Sequence, residues 1–230
     1  MIVASKFIAI LGAFGIFSLA IPADAAPKME PRVPTWEQSH FAEGNVAVRA
    51  IYILAVCARN HRLAQVEAML RAAPGSPEER AAIPLVPPPA YDECLYRTRE
   101  LKIRNLNILR GALAEAIYNG RGAHPRSDQP LPFDLKAKVP VNPNQPVNAA
   151  SPRMVAACAV QQSPGRTHEV LQHNAGSFTE QRALRALNPL LEACLPPGAK
   201  LQATSLAMRA AIGEALYFAW RAQPELFESK

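Results

Sequence analysis

The stretch LRGALAEAIY at residues 109–118 returns as MRAAIGEALY at 208–217, ninety-nine positions further on. The match is not isolated. With an offset of 101, ILAVCA (53–58) falls on MVAACA (154–159), Leu70 on Leu171, and Gly75, Ser76 and Glu79 on Gly176, Ser177 and Glu180. The offset becomes 100 where Cys94 and Leu95 meet Cys194 and Leu195. Each slip of one residue fits inside a connecting segment, so the chain carries a duplicated unit. Duplication constrains a fold more than a short motif does, because each half can be read once and checked against the other.

Each copy opens with a helix that carries its first cysteine. In copy one it spans about residues 45–59, and in copy two Ser151 caps it while Pro152 takes the first turn. Ser-Pro-Gly at 163–165 breaks copy two, which places a break near Asn60 and His61 in copy one. A short second helix follows, with Val66, Met69 and Leu70 on one face, and ends before Gly75 or Gly176. The paired segments GSPEE and GSFTE then read as capping boxes. Ser76 or Ser177 accepts a backbone N–H three residues on, and Glu79 or Glu180 reaches back to the serine's own N–H. The third helix is short in copy one, where Pro84 and the prolines at 87–89 stop it, and runs on through residues 180–194 in copy two. The last helix of each copy holds the repeated stretch, with Gly120 as a stop in copy one.

No strand alternation is visible, so the expected fold is all-α. It consists of two homologous helical modules of about three to four helices each, arranged with pseudo-twofold symmetry and stapled by disulfides. Module 1 covers 45–120 and module 2 covers 151–222. Between them, 121–150 is a linker with six prolines in 124–146, expected to be extended and exposed. Residues 26–44 form an N-terminal extension and 223–230 a C-terminal tail.

Residues 1–25 read as a secretory signal peptide. Lys6 precedes an apolar run of fifteen residues, 7–21, and Ala23-Asp24-Ala25 supplies an A-x-A cleavage site. The run is shorter than the roughly 20 residues a membrane span needs, and no second run follows. The expected location is therefore periplasmic or secreted, with no transmembrane segment after cleavage. The net charge of +6 is spread evenly, +3 on 26–130 and +3 on 131–230, which argues against a focused nucleic-acid groove.

Four cysteines in an exported chain imply two disulfides. Cys57 and Cys94 stand in places equivalent to Cys158 and Cys194, so pairing within each copy keeps the copies alike. Closely spaced Cys or His pairs for a metal are absent. Placed at 100° steps, Leu109, Ala112, Leu113, Ala116 and Ile117 form the face that meets the module's own core. Gly111, Glu115 and Tyr118 form a second face, matched by Ala210, Glu214 and Tyr217. A solvent face has no need to keep a tiny residue, a carboxylate and a tyrosine twice. The two last helices are therefore expected to pack together, the Gly and Ala positions admitting close approach, with Arg110 against Glu214 and Arg209 against Glu115. The alternatives are that each glutamate bonds its own tyrosine or nearby backbone, or that both carboxylates serve one catalytic site.

The segment HEVLQH at 168–173 resembles a zinc-protease helix, but its histidines lie five apart and so point about 140° away from each other. It reads as a polar helix face. The basic run Arg97, Arg99, Lys102 and Arg104 has no counterpart in copy two and reads as a solvated segment. YNGRGAHP resembles the end of a Sel1-type repeat, whose period is far shorter than this one. Taken together, the paired GS..E, CL and LRGALAEAIY elements are similar to those of exported bacterial proteins of uncharacterised activity. That resemblance implies export and helical modules and carries over no functional residues. The expected function is non-catalytic binding or scaffolding of an envelope protein or small ligand, without metal or cofactor. The alternative is a periplasmic hydrolase using the paired carboxylates between the modules.

Overall fold

The computed structural model describes residues 46–86, 105–142, 144 and 148–229. They lie in one compact unit, Val33–Lys230. The expected signal peptide and N-terminal extension, Cys94, and the basic run at Arg97, Arg99, Lys102 and Arg104 lie outside the described residues.

The chain is mostly helical, with eight α-helices among the described residues. Helix α1 is Val46–Arg71, α2 Pro77–Ala82, α3 Leu106–Gly120, α4 Pro152–Gln162, α5 Pro164–Gln172, α6 Phe178–Ala186, α7 Asn188–Ala193 and α8 Ser205–Ala222. The central pair is α3 and α8; α1 flanks α3, and α4 flanks α8. Every residue from Leu109 to Tyr118 and from Met208 to Tyr217 is buried, so both repeated helices are covered on all sides. Gly111 marks their crossing. A Cβ there would overlap the Ala210 backbone, so only glycine admits this approach. One apolar core runs through both halves, from Val66, Met69 and Leu70 to Val170, Leu171, Ile212 and Leu216.

Local chemistry explains the boundaries. Within α1 the backbone leaves helical geometry at Arg62 (φ −140°, ψ 34°), one residue past the expected break. The same break falls at Ser163 (φ −151°, ψ 75°), 101 positions on, where Pro164 starts α5. Gly75 and Gly176 hold φ of 74° and 80°, a region that costs other residues strain. Ser76 and Ser177 then accept the N–H of Glu79 and Glu180, each at 3.1 Å. The glutamates reach one residue further back than expected, to the N–H of Gly75 at 2.6 Å and to that of Gly176.

Three expectations are corrected. The third helix of copy two is split at Leu187 into α6 and α7, because Pro189 has no N–H to continue the ladder. The chain also has a small antiparallel sheet, β1 (Ala123–Pro125) on β2 (Phe227–Ser229), so the C-terminal residues are tied in. The helix in copy one ends at Gly120 as expected, and the positive φ that follows, 62°, is at Gly122. Finally, the linker is not a free spacer. Leu131, Leu135 and Val139 are buried, and the N–H groups of Leu131 and Leu135 donate to the backbone and side-chain oxygens of Gln161 at 2.8 and 3.1 Å. Asp128 accepts the Arg166 N–H at 3.0 Å and the Ser163 hydroxyl at 2.7 Å, near the start of α5.

Cys158 on α4 is bonded to Cys194 just past α7, closing 36 positions of chain. Cys57 is also disulfide-bonded. Replacing Cys158 and Cys194 together by alanine should cost roughly 3 to 4 kcal/mol in a chain-entropy treatment, read by urea denaturation. Gly111→Ala tests the crossing. Helix propensity favours alanine by about 1 kcal/mol, yet the overlap with Ala210 should make the variant less stable by about 1–3 kcal/mol. A more stable variant would contradict the close crossing.

Candidate functional site

The centre of the molecule holds buried charge. Arg110 is fully buried, and its Nε donates to Glu214 Oε1 at 2.5 Å. Its Nη1 donates to the Met69 carbonyl at 2.8 Å and to Glu79 Oε1 at 3.0 Å, and its Nη2 donates to the Leu70 carbonyl. The guanidinium thus closes the last turn of α1 and bridges it to α2 and α8. Carbonyls at a helix C-terminus lack intrahelical donors and carry partial negative charge, so a cation belongs there.

Arg209 repeats the arrangement. Its Nη2 and Nε donate to Glu115 Oε1 and Oε2 at 2.6 and 3.1 Å, a two-pronged pair. Its Nη1 donates to the Val170 and His173 carbonyls at 3.1 and 2.7 Å, closing the last turn of α5. Glu180 Oε1 stands 3.5 Å from Nη1. Arg209 Nη2 also donates to the Leu171 carbonyl at 3.4 Å, so the partners of Arg110 and Arg209 match at the repeat offsets: Met69 with Val170, Leu70 with Leu171, Glu79 with Glu180, Glu214 with Glu115. Glu79 and Glu180, legible in sequence as capping residues, also serve as counter-ions to the buried arginines. Their identical placement in both copies was the only signal for that.

Two residues that the sequence reading passed over break the likeness. Arg153 on α4 donates from Nε to Glu214 Oε2 and from Nη2 to Oε1, both at 2.8 Å. Glu214 is thus gripped by two guanidinium groups. One repeat earlier, at the place of Arg153, stands Tyr52. Its buried hydroxyl makes no hydrogen bond among the described residues, and its ring lies under Arg209, 5.5 Å from the guanidinium carbon.

These differences show in the titration of the groups. Burial alone would raise Glu214, but Arg110 and Arg153 hold it below the usual carboxylate range. Glu180 is raised, because burial outweighs the pull of Arg209 and Glu115 adds a like charge. Burial, with Glu115 beside it, pushes the Tyr52 hydroxyl well up. For Arg209 burial works against the charge, but Glu115, Tyr52 and Glu180 keep it protonated, above the ordinary arginine range.

Beside Glu115 and Arg209 lies a cavity of about 530 Å³. Its polar wall includes Tyr52, Arg59, Asn119, His124, His168 and His173; Ile53, Val56 and Leu171 are among its apolar residues. Glu214 does not line it, so Glu115 and Glu214 do not share this cavity. Tyr118 is fully buried; its hydroxyl meets His168 Nδ1 at 3.1 Å and not Glu115. Tyr217 is buried against Phe218 and Trp220. The two histidines of HEVLQH both reach this wall, where His168 Nε2 meets Gln172 at 2.8 Å and His173 caps the end of α5. Among the described residues, no group of three or more His, Cys, Asp or Glu is placed to hold a metal ion, and no helix is long and apolar enough to cross a membrane.

No protein-family model, curated protein or solved structure matches the chain.

The two shifted carboxylates have opposite linkage. Glu214, lowered when folded, adds stability above the unfolded-state value of about 4.3, and that stability is lost as pH falls through the folded value. Glu180, raised when folded, adds stability below the unfolded-state value that is lost as pH rises through the folded value. Thermal melts from pH 6 to pH 3 should therefore show a shallower acid loss in Glu214→Gln and a steeper one in Glu180→Gln than in the unaltered protein.

Proposed function

We propose that this is an exported, non-catalytic helical protein that binds a small ligand in the cavity beside Glu115, where its two halves meet. In this reading the halves are homologous modules, 45–120 and 151–222, related by a pseudo-twofold axis between Gly111 and Ala210 and each tied by a disulfide. The matching partners of Arg110 and Arg209 support the duplication. The disulfide at Cys158 and Cys194 suits an oxidising compartment such as the periplasm or the cell exterior.

The observation that carries the binding reading is the fate of the paired carboxylates. Shared acid and base chemistry needs both in one cleft, within reach of the same substrate. Instead Glu214 is enclosed by two arginines, and the cavity beside Glu115 is not lined by Glu214. That cavity, about 530 Å³, lies within the roughly 300–1,000 Å³ typical of small-molecule sites, and it combines apolar walls with a few fixed polar groups. A small ligand suits it better than a protein surface does.

The test is a melting-temperature screen of amino acids, amines, sugars and organic acids against the protein and its Val56→Trp variant, whose indole would occupy the cavity. A ligand present at a hundred times its Kd adds about 2.7 kcal/mol, which for a chain of this size raises Tm by about 5–10 °C. We expect at least one compound to raise the Tm of the unaltered protein and not that of Val56→Trp. Equal responses of both proteins to every compound would contradict a ligand site in this cavity.

A further inference from the structure

We propose that the cavity beside Glu115 takes the guanidinium group of a small alkylguanidine, which lies against Glu115 as Arg153 lies against Glu214. The inference rests on the binding reading above and specifies its chemistry.

The molecule contains its own template. Glu115 and Glu214 occupy matching places in the repeat, on helices that cross at Gly111 and Ala210. Glu214 accepts from Arg110 of the partner helix and from Arg153 of its own half. Glu115 accepts from Arg209 of the partner helix; Asn119 Nδ2 adds a contact at 3.5 Å, and no second cation is paired with it among the described residues. What differs is the residue in the Arg153 place, which here is Tyr52. Its ring leaves the second approach to Glu115 in the wall of the cavity, and its buried hydroxyl stands beside Glu115.

Charge leads to the same chemistry. Around Glu214, Arg110 and Arg153 face Glu79 and Glu214, so the group is neutral. In the ion-pair group around Glu115, Arg209 faces Glu115 and Glu180, one cation against two carboxylates, while Arg59 lines the same cavity with its Nη1 on the Ala116 carbonyl at 3.1 Å. A buried excess of negative charge in an ion-pair group is costly and favours a cation. A guanidinium fits better than an ammonium, since its planar fork matches a carboxylate edge in two bonds, as Arg153 does. Ile53, Val56 and Leu171 give the alkyl part an apolar wall.

The test is isothermal titration calorimetry at pH 7 with n-butylguanidinium and with n-butylurea, which has the same shape without the charge. Butylguanidinium should bind at least tenfold more tightly than butylurea, and Val56→Trp should weaken it at least tenfold. Tyr52→Arg, which places in this half what Arg153 supplies in the other, should also lose at least tenfold in affinity without a fall in melting temperature. Equal affinities for the two probes, or no binding of butylguanidinium to the unaltered protein, would overturn the guanidinium assignment. If a neutral or anionic compound then binds and Val56→Trp blocks it, the cavity remains a ligand site of other chemistry. If Val56→Trp changes nothing for any compound, the ligand-site reading fails as well.

Discussion

A buried arginine is among the most demanding groups a small protein can contain, and this one contains two at its centre. Desolvating a guanidinium costs several kcal/mol unless its charge is balanced and its N–H donors are used. Arg110 and Arg209 meet both conditions by the same device. Each reaches the end of a helix in its own half, where carbonyls lack donors, and a carboxylate on the opposite central helix. The position of each central helix is thereby coupled to the helix end on its own side and to the other half's glutamate. Much else follows from that coupling. Glycine at position 111 lets the helices come close enough, and the capping glutamates Glu79 and Glu180 supply the remaining counter-charge.

In the proposed reading, two copies that depend on each other this way cannot diverge freely at the arginines and the glutamates, but they can diverge around them. Tyr52 and Arg153 are such a divergence. One half completes its ion network and is sealed around Glu214. The other carries one cation fewer beside a cavity. In the proposed reading of a duplicated, ligand-binding chain, the site lies where the two halves differ, with Arg153 in one and Tyr52 in the other.

Much of this was legible in the sequence, for a physical reason. A helix buried on one side shows one apolar stripe, whereas the repeated stretch kept Gly or Ala, Glu and Tyr on its second face in both copies, which a solvent face does not require. That pattern led to the crossing helices and to the pairing of Arg110 with Glu214 and of Arg209 with Glu115. The linker was misjudged because Leu131, Leu135 and Val139 are buried from irregular backbone, which has no period to detect. Strands of three residues such as β1 and β2 are too short to show alternation. Tyr52 and Arg153 are not legible in this way, because the matching stretches mark only what is shared, and these two positions differ.

The arrangement is tested most directly by a double-mutant cycle between Arg110 and Glu214, which lie 104 positions apart in sequence and on different central helices. Arg110→Met and Glu214→Met, singly and together, are compared by urea denaturation. Each single replacement removes one of two counter-ions, Arg153 staying beside Glu214 and Glu79 beside Arg110, and should cost about 2–4 kcal/mol. The double variant should lose less than the sum, giving a coupling of about 2 kcal/mol or more. A coupling near zero, with the two losses simply adding, would mean that these groups do not meet in the folded protein, and the buried bridge between the halves would have to be abandoned.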